Sequence, residues 1–461
     1  MSMRVSVRYH LFMMDAWGIQ AYVCCKVRDT IIRSTIVVWW LLLLNKDEDT
    51  RPPSPSRKII TTQWLSRVLH STVTVVQEEE LDDNRGFVGD MLVLHVESDN
   101  DVNGGSKKKI HSLVLKTSQP QYSSTRLAGL GGIREALYYN SKYAQRPMEL
   151  GRIPKTYYSH GSRWLGEMVI LMENLQESAP GFKQSVGVNQ LMGNQIWGVA
   201  EDTPKTINKL ELLKAMYYHA AEAHAQFWMD KSLLKESWMR NANWFHGGDR
   251  HYWEFSMEAA RQGWEKIRTN TTALNYPEGF VEVLDASFAK SSWAKLQEHL
   301  KEVPFTLTHG DFHASNMIMQ LKESSLHNSS NADDLLEGLK IFDWSEVGPW
   351  EPVTDLAQTV VSDLPKELFD QVEGVLKAYH VRLQELGVKE YVWEHCRQRF
   401  GESGMERWIW VLGAMSSLFD ITSTGLGQYF VDQMDTFRQQ FCPDHTHFVL
   451  KSCGYVLPAR D

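Results

Sequence analysis

Two short motifs in the C-terminal part of the chain most constrain what it can fold into. The first, His309-Gly-Asp-Phe-His-Ala-Ser-Asn316, places the Asp311 carboxylate five residues before the Asn316 side-chain amide. In the second, Asp343 follows an apolar pair, so we expect it at the end of a buried strand. A fold that uses both motifs must bring these three oxygen-bearing side chains to one place.

This set of side chains fits the transfer of a phosphoryl group. Such a transfer needs little covalent help, but it needs a carboxylate near the acceptor hydroxyl and divalent ions that neutralise the phosphate oxygens. Asp311 suits the first task. Asn316 and Asp343 offer the hard oxygen ligands that magnesium prefers. The motifs therefore predict an ATP-dependent transfer with Mg²⁺ as the metal.

The first motif resembles the HGDxxxxN catalytic loop of the aminoglycoside phosphotransferase family, and Ile341-Phe-Asp-Trp344 resembles its IDW metal motif. The wider group includes the choline and ethanolamine kinases and the ecdysteroid-kinase-like proteins, all on the protein-kinase plan. The resemblance implies that Asp311 is the catalytic base, and that Asn316 and Asp343 bind magnesium.

The same resemblance implies structural support for the catalytic loop. His309 begins the loop, and Asp355, in Thr354-Asp-Leu-Ala357, matches the later Asp that braces it in the family. A His-Gly-Asp tripeptide by itself is also typical of ordinary turns. The combination of motifs is what favours a kinase. The polar stretch Gln320–Gly338, between the two motifs, is predicted to be an enlarged, solvated hairpin loop.

A nucleotide-binding lobe is predicted upstream of these motifs. Val73–Gln77 and Met91–Glu97 have the β-prone composition of strands. Between them, Gly86 and Gly89 would let backbone amides approach the phosphates of a nucleotide. An ordinary hairpin turn explains the two glycines equally well.

The next predicted strand, His111–Lys116, ends in a lysine. Kinases hold the α and β phosphates of the nucleotide in this way, so we predict that Lys116 binds phosphate. The alternative is a lysine that extends to water. The preceding run Lys107–Lys109 is predicted to be a solvated loop.

A helix is predicted at Ile133–Tyr143, with Glu135 in its first turn. Glu135 resembles the glutamate that pairs with the phosphate-binding lysine in the family. The alternative is an exposed acid favoured by the helix dipole. Further along, the apolar run Met168–Met172 predicts a central strand followed by a hinge. The resemblance implies that the backbone of Met172, Glu173 and Leu175 contacts adenine.

Composition favours a cytoplasmic enzyme that acts on a small molecule. The apolar fraction of 43% is ordinary for a soluble protein, and a net charge of −9 argues against nucleic acid as a partner. The five cysteines form no disulfide pattern. The chain lacks the His-Arg-Asp, Asp-Phe-Gly and Ala-Pro-Glu set of the protein kinases, so we expect a small hydroxyl-bearing substrate.

The first 56 residues do not fit the kinase pattern. Ile36–Leu44 is a run of nine apolar residues, whereas a membrane span takes about 20. Pro52–Ser56 has the composition of a linker. A targeting or anchor segment, with membrane association, is one interpretation of this extension. An extension without a structural role is the other.

These observations predict an α+β, bilobal, protein-kinase-like fold. We expect an extension and linker at 1–56, a small β-rich nucleotide-binding lobe at 57–174, and a large, mainly helical lobe at 175–461. The expected activity is ATP- and Mg²⁺-dependent phosphorylation of an alcohol group, with Asp311 as the base. The alternatives are a nucleotide-binding pseudokinase or a membrane-associated adaptor, neither of which would turn over.

Overall fold

The computed structural model describes residues 53, 60–80, 89–102, 105–118, 132–162, 167–193, 207–270, 272–327, 331–418, 420–423 and 425–451. The chain divides into two compact units. The first runs to Ala136 and also includes Thr156–Glu173, and the second comprises Leu137–Lys155 and the chain from Asn174. Apart from residue 53, the predicted N-terminal extension lies outside the described residues, as does Gly86.

The first unit contains a five-stranded antiparallel sheet within its described residues. In the order β1-β2-β3-β5-β4, its strands are β1 (Thr72–Glu80), β2 (Gly89–Val102), β3 (Gly105–Ser118), β4 (Thr156–Ser162) and β5 (Glu167–Glu173). The sheet buries alternate apolar residues of neighbouring strands against the helix α1 (Thr62–Leu69). This core comprises Trp64, Leu65, Val73, Leu94, Val96, Leu113, Leu115, Val169 and Leu171.

Two local predictions in this part of the chain are wrong. The run Lys107–Lys109 is not a loop, because β3 begins at Gly105 and the register places Lys108 opposite Asp99 of β2. The helix predicted at Ile133–Tyr143 is broken into α2 (Arg134–Tyr139) and a second helix, because the Ser141 hydroxyl accepts a hydrogen bond from a backbone N–H and caps the new helix.

The second unit is mainly helical. Its α-helices beyond α2 are α3 (Lys142–Glu149), α4 (Val188–Met192), α5 (Lys209–Gln226), α6 (Arg250–Ile267), α7 (Phe280–Lys290), α8 (Trp293–Glu302), α9 (Glu323–His327), α10 (Ala332–Gly338), α11 (Val353–Asp363), α12 (Val372–Glu385), α13 (Trp393–Leu418) and α14 (Leu426–Phe441). Short 3₁₀ turns occur at Leu233–Lys235, Ala242–His246, Ala314–Asn316, Trp344–Glu346 and Lys366–Gln371. The predicted α+β class is confirmed, since strands form the core of the first unit and helices that of the second.

Two small antiparallel sheets of the second unit carry the motif residues. One contains β6 (Gln184–Gly187), β8 (Met317–Leu321) and β9 (Leu339–Ile341), and the other pairs β7 (Thr306–Thr308) with β10 (Gly348–Trp350). Strands β8 and β9 pair as the predicted hairpin. Their connection is not the predicted solvated loop, because it forms α9 and α10. Helix α10 buries its apolar side chains and packs on α5.

Helix α11 lies at the centre of the second unit. Every residue from Val353 to Asp363 is buried, and the helix packs against α13, α14 and α5. A helix that is buried all round needs partners for its polar side chains. In the part of the chain that the structure describes, no helix combines the length and apolar composition needed to cross a membrane.

Helices α6 and α13 cross in direct backbone contact. A Cβ atom added to Gly263 would lie 1.8 Å from the Gly413 carbonyl oxygen, and one added to Gly413 would lie 2.3 Å from the Ala260 carbonyl oxygen. Real Cβ atoms do not approach a backbone oxygen so closely. The two glycines therefore set the distance between these helices.

We predict that Gly263→Ala lowers the free energy of unfolding by about 1–3 kcal/mol, because the helices must separate to admit a methyl group. The matched control is Gly374→Ala, at an exposed position of α12 where an added Cβ meets nothing within 4 Å. It should leave stability unchanged or raise it, because alanine favours the helix. Thermal midpoints compare the two variants, and equal midpoints would contradict the proposed close contact.

Candidate active site

The predicted catalytic loop follows strand β7 directly and turns at Gly310. Gly310 has a φ angle of +80°, and a Cβ atom there would lie 2.2 Å from the Glu346 carbonyl oxygen. Both the backbone angle and the close approach require glycine. At the end of the strand, the Thr308 hydroxyl donates a hydrogen bond to the Gly348 carbonyl oxygen at 2.9 Å. The loop therefore starts from a fixed position.

Asp355 holds the beginning of this loop. Its Oδ2 accepts a hydrogen bond from the His309 backbone N–H at 2.7 Å, and its Oδ1 accepts one from the Gly310 N–H at 3.0 Å. The carboxylate is buried, and His224 Nε2 lies 3.7 Å from Oδ2. Burial alone would raise the pKa of Asp355. The interactions with His224 and His309 outweigh burial and lower that pKa.

Four polar side chains surround the Asp311 carboxylate. Gln358 Nε2 donates a hydrogen bond to Oδ1 at 2.7 Å, and Arg407 Nη2 lies 3.5 Å from the same oxygen. On the other oxygen, Oδ2, Asn316 Nδ2 donates at 3.3 Å and His313 Nε2 lies at 3.4 Å. The Asp311 side chain is still 38% exposed. It is therefore oriented from several sides and open to a reactant.

These neighbours keep Asp311 ionised. Loss of hydration would raise its pKa, but the charge and hydrogen bond of His313, the charge of Arg407 and the Gln358 hydrogen bond hold the pKa below its usual range. His313 responds in the opposite sense. Its loss of hydration would lower its pKa, but Asp311, Asp363 and Asp343 raise it to about 9. At neutral pH the pair is a carboxylate beside an imidazolium.

The structure brings Asn316 and Asp343 to the same place. Strands β8 and β9 pair so that Met317 lies opposite Ile341, and the Phe342 N–H donates to the Asn316 carbonyl oxygen at 3.0 Å. Asp343 comes next in the chain, with a left-handed φ of 60° that is unusual for a residue other than glycine. The Asn316 Nδ2 also donates to the Asp311 carbonyl oxygen at 3.0 Å.

His309 links the two motifs. Its Nδ1 accepts a hydrogen bond from the Asp311 N–H at 3.2 Å, and its Nε2 lies 2.9 Å from the Phe342 carbonyl oxygen, to which it can donate. The side-chain amide of Asn316 points its N–H group at Asp311, which leaves its oxygen for a cation. An amide oxygen and a carboxylate fit Mg²⁺, which prefers oxygen ligands.

The first unit contains the predicted ion pair of Lys116 and Glu135. Lys116 Nζ lies 2.6 Å from Glu135 Oε2, and both side chains are buried. Lys116 lies in β3 opposite Ile170 of β5, and Glu135 lies in the first turn of α2. Neither is solvent-exposed, so the alternatives of a lysine that extends to water and an exposed glutamate are wrong. Their role toward a nucleotide stays a prediction.

The remaining predicted nucleotide contacts are placed as follows. Gly89 is the first residue of β2, opposite Ser118 of β3. Met172 and Glu173 end β5, and Met172 is largely buried. Leu175 belongs to the second unit, where its carbonyl oxygen accepts a hydrogen bond from Ser185. No contact with adenine follows from these positions alone.

Sequence reasoning missed three of the side chains that contact Asp311, and it also missed Asp363, which holds the same loop. His313 lies inside the first motif and could have been singled out there. Gln358 and Asp363 lie one and two turns beyond Asp355 on α11. The carboxylate of Asp363 accepts a hydrogen bond from the Ala314 N–H at 3.0 Å, and burial raises its pKa. Arg407 lies on α13, far along the chain, with no local signal.

One other group of metal-ligand side chains occurs in the described parts of the chain, formed by His299, Glu351 and Glu406. Glu351 is already paired with Arg399 Nε at 2.6 Å and with Lys451 Nζ at 3.0 Å. Glu406 contacts the same two cations. Buried carboxylates with two cations are already compensated, so this group is an ion-pair network.

We predict that Asp355→Asn lowers the free energy of unfolding by about 1–3 kcal/mol, because the amide can accept only one of the two backbone hydrogen bonds and leaves a buried N–H unsatisfied. Thermal and urea unfolding measure the change. The control, Asp444→Asn, alters an exposed carboxylate and should have little effect. An Asp355→Asn protein as stable as the control would contradict the role of Asp355 in holding the loop.

Comparison with known proteins finds likeness to solved kinase structures. No protein-family model and no curated protein matches the chain. It is similar to a Plasmodium vivax ethanolamine kinase, with 11% identity over 79% of this chain and 84% of that chain and a TM-score of 0.39. It is also similar to a microcompartment-associated aminopropanol kinase, with 12% identity over 82% of this chain and 96% of that chain and a TM-score of 0.38. A third similar structure is a choline/ethanolamine kinase family protein from Mesorhizobium loti, with 14% identity over 79% of this chain and 92% of that chain and a TM-score of 0.35.

Proposed function

We propose that this protein is a kinase that transfers the γ-phosphoryl group of ATP to a hydroxyl group of a small molecule, with Mg²⁺. The observation that supports this most directly is the surroundings of Asp311. An ionised, partly exposed carboxylate is held by Gln358, and the two side chains with oxygen ligands for a metal, Asn316 and Asp343, are fixed beside its loop. Phosphoryl transfer depends mainly on such positioning and on charge neutralisation.

Asp311 acts on the acceptor. Its carboxylate accepts a hydrogen bond from the acceptor hydroxyl and takes the proton as the oxygen–phosphorus bond forms. The bond from the γ-phosphorus to the bridging oxygen breaks at the same time, and ADP leaves with that electron pair. A carboxylate with a lowered pKa is a weak base, so its main contribution is to orient the hydroxyl for attack.

Asn316 and Asp343 hold the metal in this proposal. When bound, magnesium neutralises the charge on the phosphate oxygens. The two side chains fix where that charge lies relative to Asp311. The left-handed backbone at Asp343 supports this role, because an unfavourable conformation is often retained where function requires it.

The first unit would bind the nucleotide. Lys116 would contact the α and β phosphates, and Glu135 would hold the lysine in position through the ion pair of 2.6 Å. Gly86 and Gly89 would approach the phosphates, and the backbone of Met172, Glu173 and Leu175 would contact adenine. In this proposal 57–174 and 175–461 act as the two lobes of a protein-kinase-like enzyme in the cytoplasm, and 1–56 is an extension.

We predict that Asp311→Asn lowers kcat by about a hundredfold or more, because the amide orients the acceptor hydroxyl less well and cannot take its proton. ATP consumption is measured against a library of hydroxyl-bearing metabolites. Binding of Mg·ATP should survive the substitution. The control, Asp370→Asn, changes an exposed carboxylate and should keep full activity.

The same assay decides between a kinase and a pseudokinase. If the wild-type protein binds Mg·ATP but no acceptor raises its turnover above that of Asp311→Asn, the proposed activity is wrong and a nucleotide-binding scaffold is favoured.

Removal of the metal gives a separate prediction. Chelation with EDTA should abolish turnover, and added Mg²⁺ should restore it. In Asp343→Asn the loss of a charged ligand should raise the Mg²⁺ concentration for half-maximal rate by about tenfold or more, equivalent to about 1.4 kcal/mol. An unchanged Mg²⁺ requirement in this variant would remove Asp343 from the metal site.

A further inference from the structure

A buried arginine lies beside the proposed catalytic carboxylate. Arg407, on α13, is 5% exposed, and its Nη2 lies 3.5 Å from Asp311 Oδ1. That oxygen already accepts the Gln358 hydrogen bond at 2.7 Å. The distance from Arg407 is longer than that of a charge-assisted hydrogen bond, which is usually about 2.7–2.9 Å. The guanidinium therefore faces Asp311 without forming a close pair with it.

The hydrogen-bonding capacity of Arg407 is largely unused. Its Nε is buried and has no hydrogen-bond partner among the described residues. Arg399, eight residues earlier on the same helix, is equally buried but is closely paired, with distances of 2.6 and 3.0 Å to the two oxygens of Glu351. A buried guanidinium with incomplete bonding is costly. The contrast indicates that Arg407 serves a group that none of the described residues supplies.

The position of Arg407 beside Asp311 indicates the charge of the group that it would bind. A hydroxyl that reaches the Asp311 carboxylate must come within about 2.6–3.2 Å of one of its oxygens. At Oδ1 it would lie next to the Arg407 guanidinium, and Oδ2 is flanked by the His313 imidazole. Asp343 is assigned to the metal, and Asp363 accepts the Ala314 N–H. Among the described residues, the charged groups that face the two oxygens of Asp311 are those of Arg407 and His313, and both are positive.

We propose that Arg407 binds an oxyanion of the acceptor, so that the substrate is an alcohol with a carboxylate or phosphate close to the phosphorylated hydroxyl. This inference rests on the proposed kinase activity. The planar fork of guanidinium N–H groups matches carboxylate and phosphate geometry. An acceptor with an ammonium group at the same position would be repelled by Arg407.

A series of four acceptors on one three-carbon skeleton tests the inference. Glycerol is neutral, glycerate carries a carboxylate, glycerol 3-phosphate carries a phosphate, and 3-aminopropane-1,2-diol carries an ammonium group. We expect kcat/KM to be higher by about tenfold or more for at least one anion than for glycerol, as one charged hydrogen bond would give. The amine should be the poorest acceptor. The two anions distinguish a carboxylate site from a phosphate site.

Variants separate substrate binding by Arg407 from the positioning of Asp311. Arg407→Gln should raise KM for the preferred anion by about tenfold or more relative to its effect on KM for glycerol, which has no anionic group to lose. Arg407→Lys keeps the charge and should recover part of the loss. If Arg407 only positions Asp311, kcat should fall equally for all four acceptors, which would overturn the inference. Arg261→Gln, an exposed arginine on α6, is the control.

A binding measurement keeps this inference separate from the proposed activity. Titration calorimetry with acetate and with inorganic phosphate, in the presence of Mg·ADP, should show weaker binding of at least one anion to Arg407→Gln than to wild type. Equal binding of both anions, or a preference of the wild-type enzyme for the amine, would overturn the inference alone. Absence of turnover above that of Asp311→Asn with every acceptor of the metabolite library would instead overturn the proposed activity.

Discussion

The arrangement of the candidate site depends on one buried carboxylate. Asp355 accepts hydrogen bonds from two consecutive backbone N–H groups, those of His309 and Gly310. A loop has no secondary structure to satisfy its backbone, so buried N–H groups in it need other acceptors. Helix α11 supplies several of these. Gln358 accepts from the Phe312 N–H, and Asp363 accepts from the Ala314 N–H. One buried helix thus holds the loop at three points along its length.

The same arrangement explains the electrostatics of Asp311. Gln358 uses its carbonyl oxygen for the loop backbone and its amide N–H for the carboxylate, so it fixes both together. Burial would favour a neutral Asp311, but His313 and Arg407 supply two positive neighbours and keep it ionised. Position and charge state therefore have a common origin in the packing of α11 and α13 around the loop. That packing holds a partly exposed, ionised carboxylate in a fixed position.

How far the sequence predicts this structure depends on how local each signal is. The α+β class follows from strand-like and helix-like stretches, and the grouping of Asp311 with Asn316 follows from their spacing within one loop. The approach of Asp343 and the pairing of Lys116 with Glu135 were expected from a family resemblance. Gln358, Asp363 and Arg407 were missed because tertiary packing alone places them. The helices between β8 and β9 were missed because the polar residues of that stretch outweighed Leu335 and Leu336, which the structure buries.

The ion-pair network on α13 has a consequence for the far end of the chain. Glu406 contacts Lys451, while the adjacent Arg407 faces Asp311. Without Lys451, Glu351 and Glu406 would share the single guanidinium of Arg399 with Glu402, and their repulsion would act on the helix that borders the candidate loop. The last described residue is thereby linked to the candidate site through two consecutive residues of α13. Loss of the Lys451 side chain would therefore act on the helix that carries Arg407 without removing any side chain that contacts Asp311.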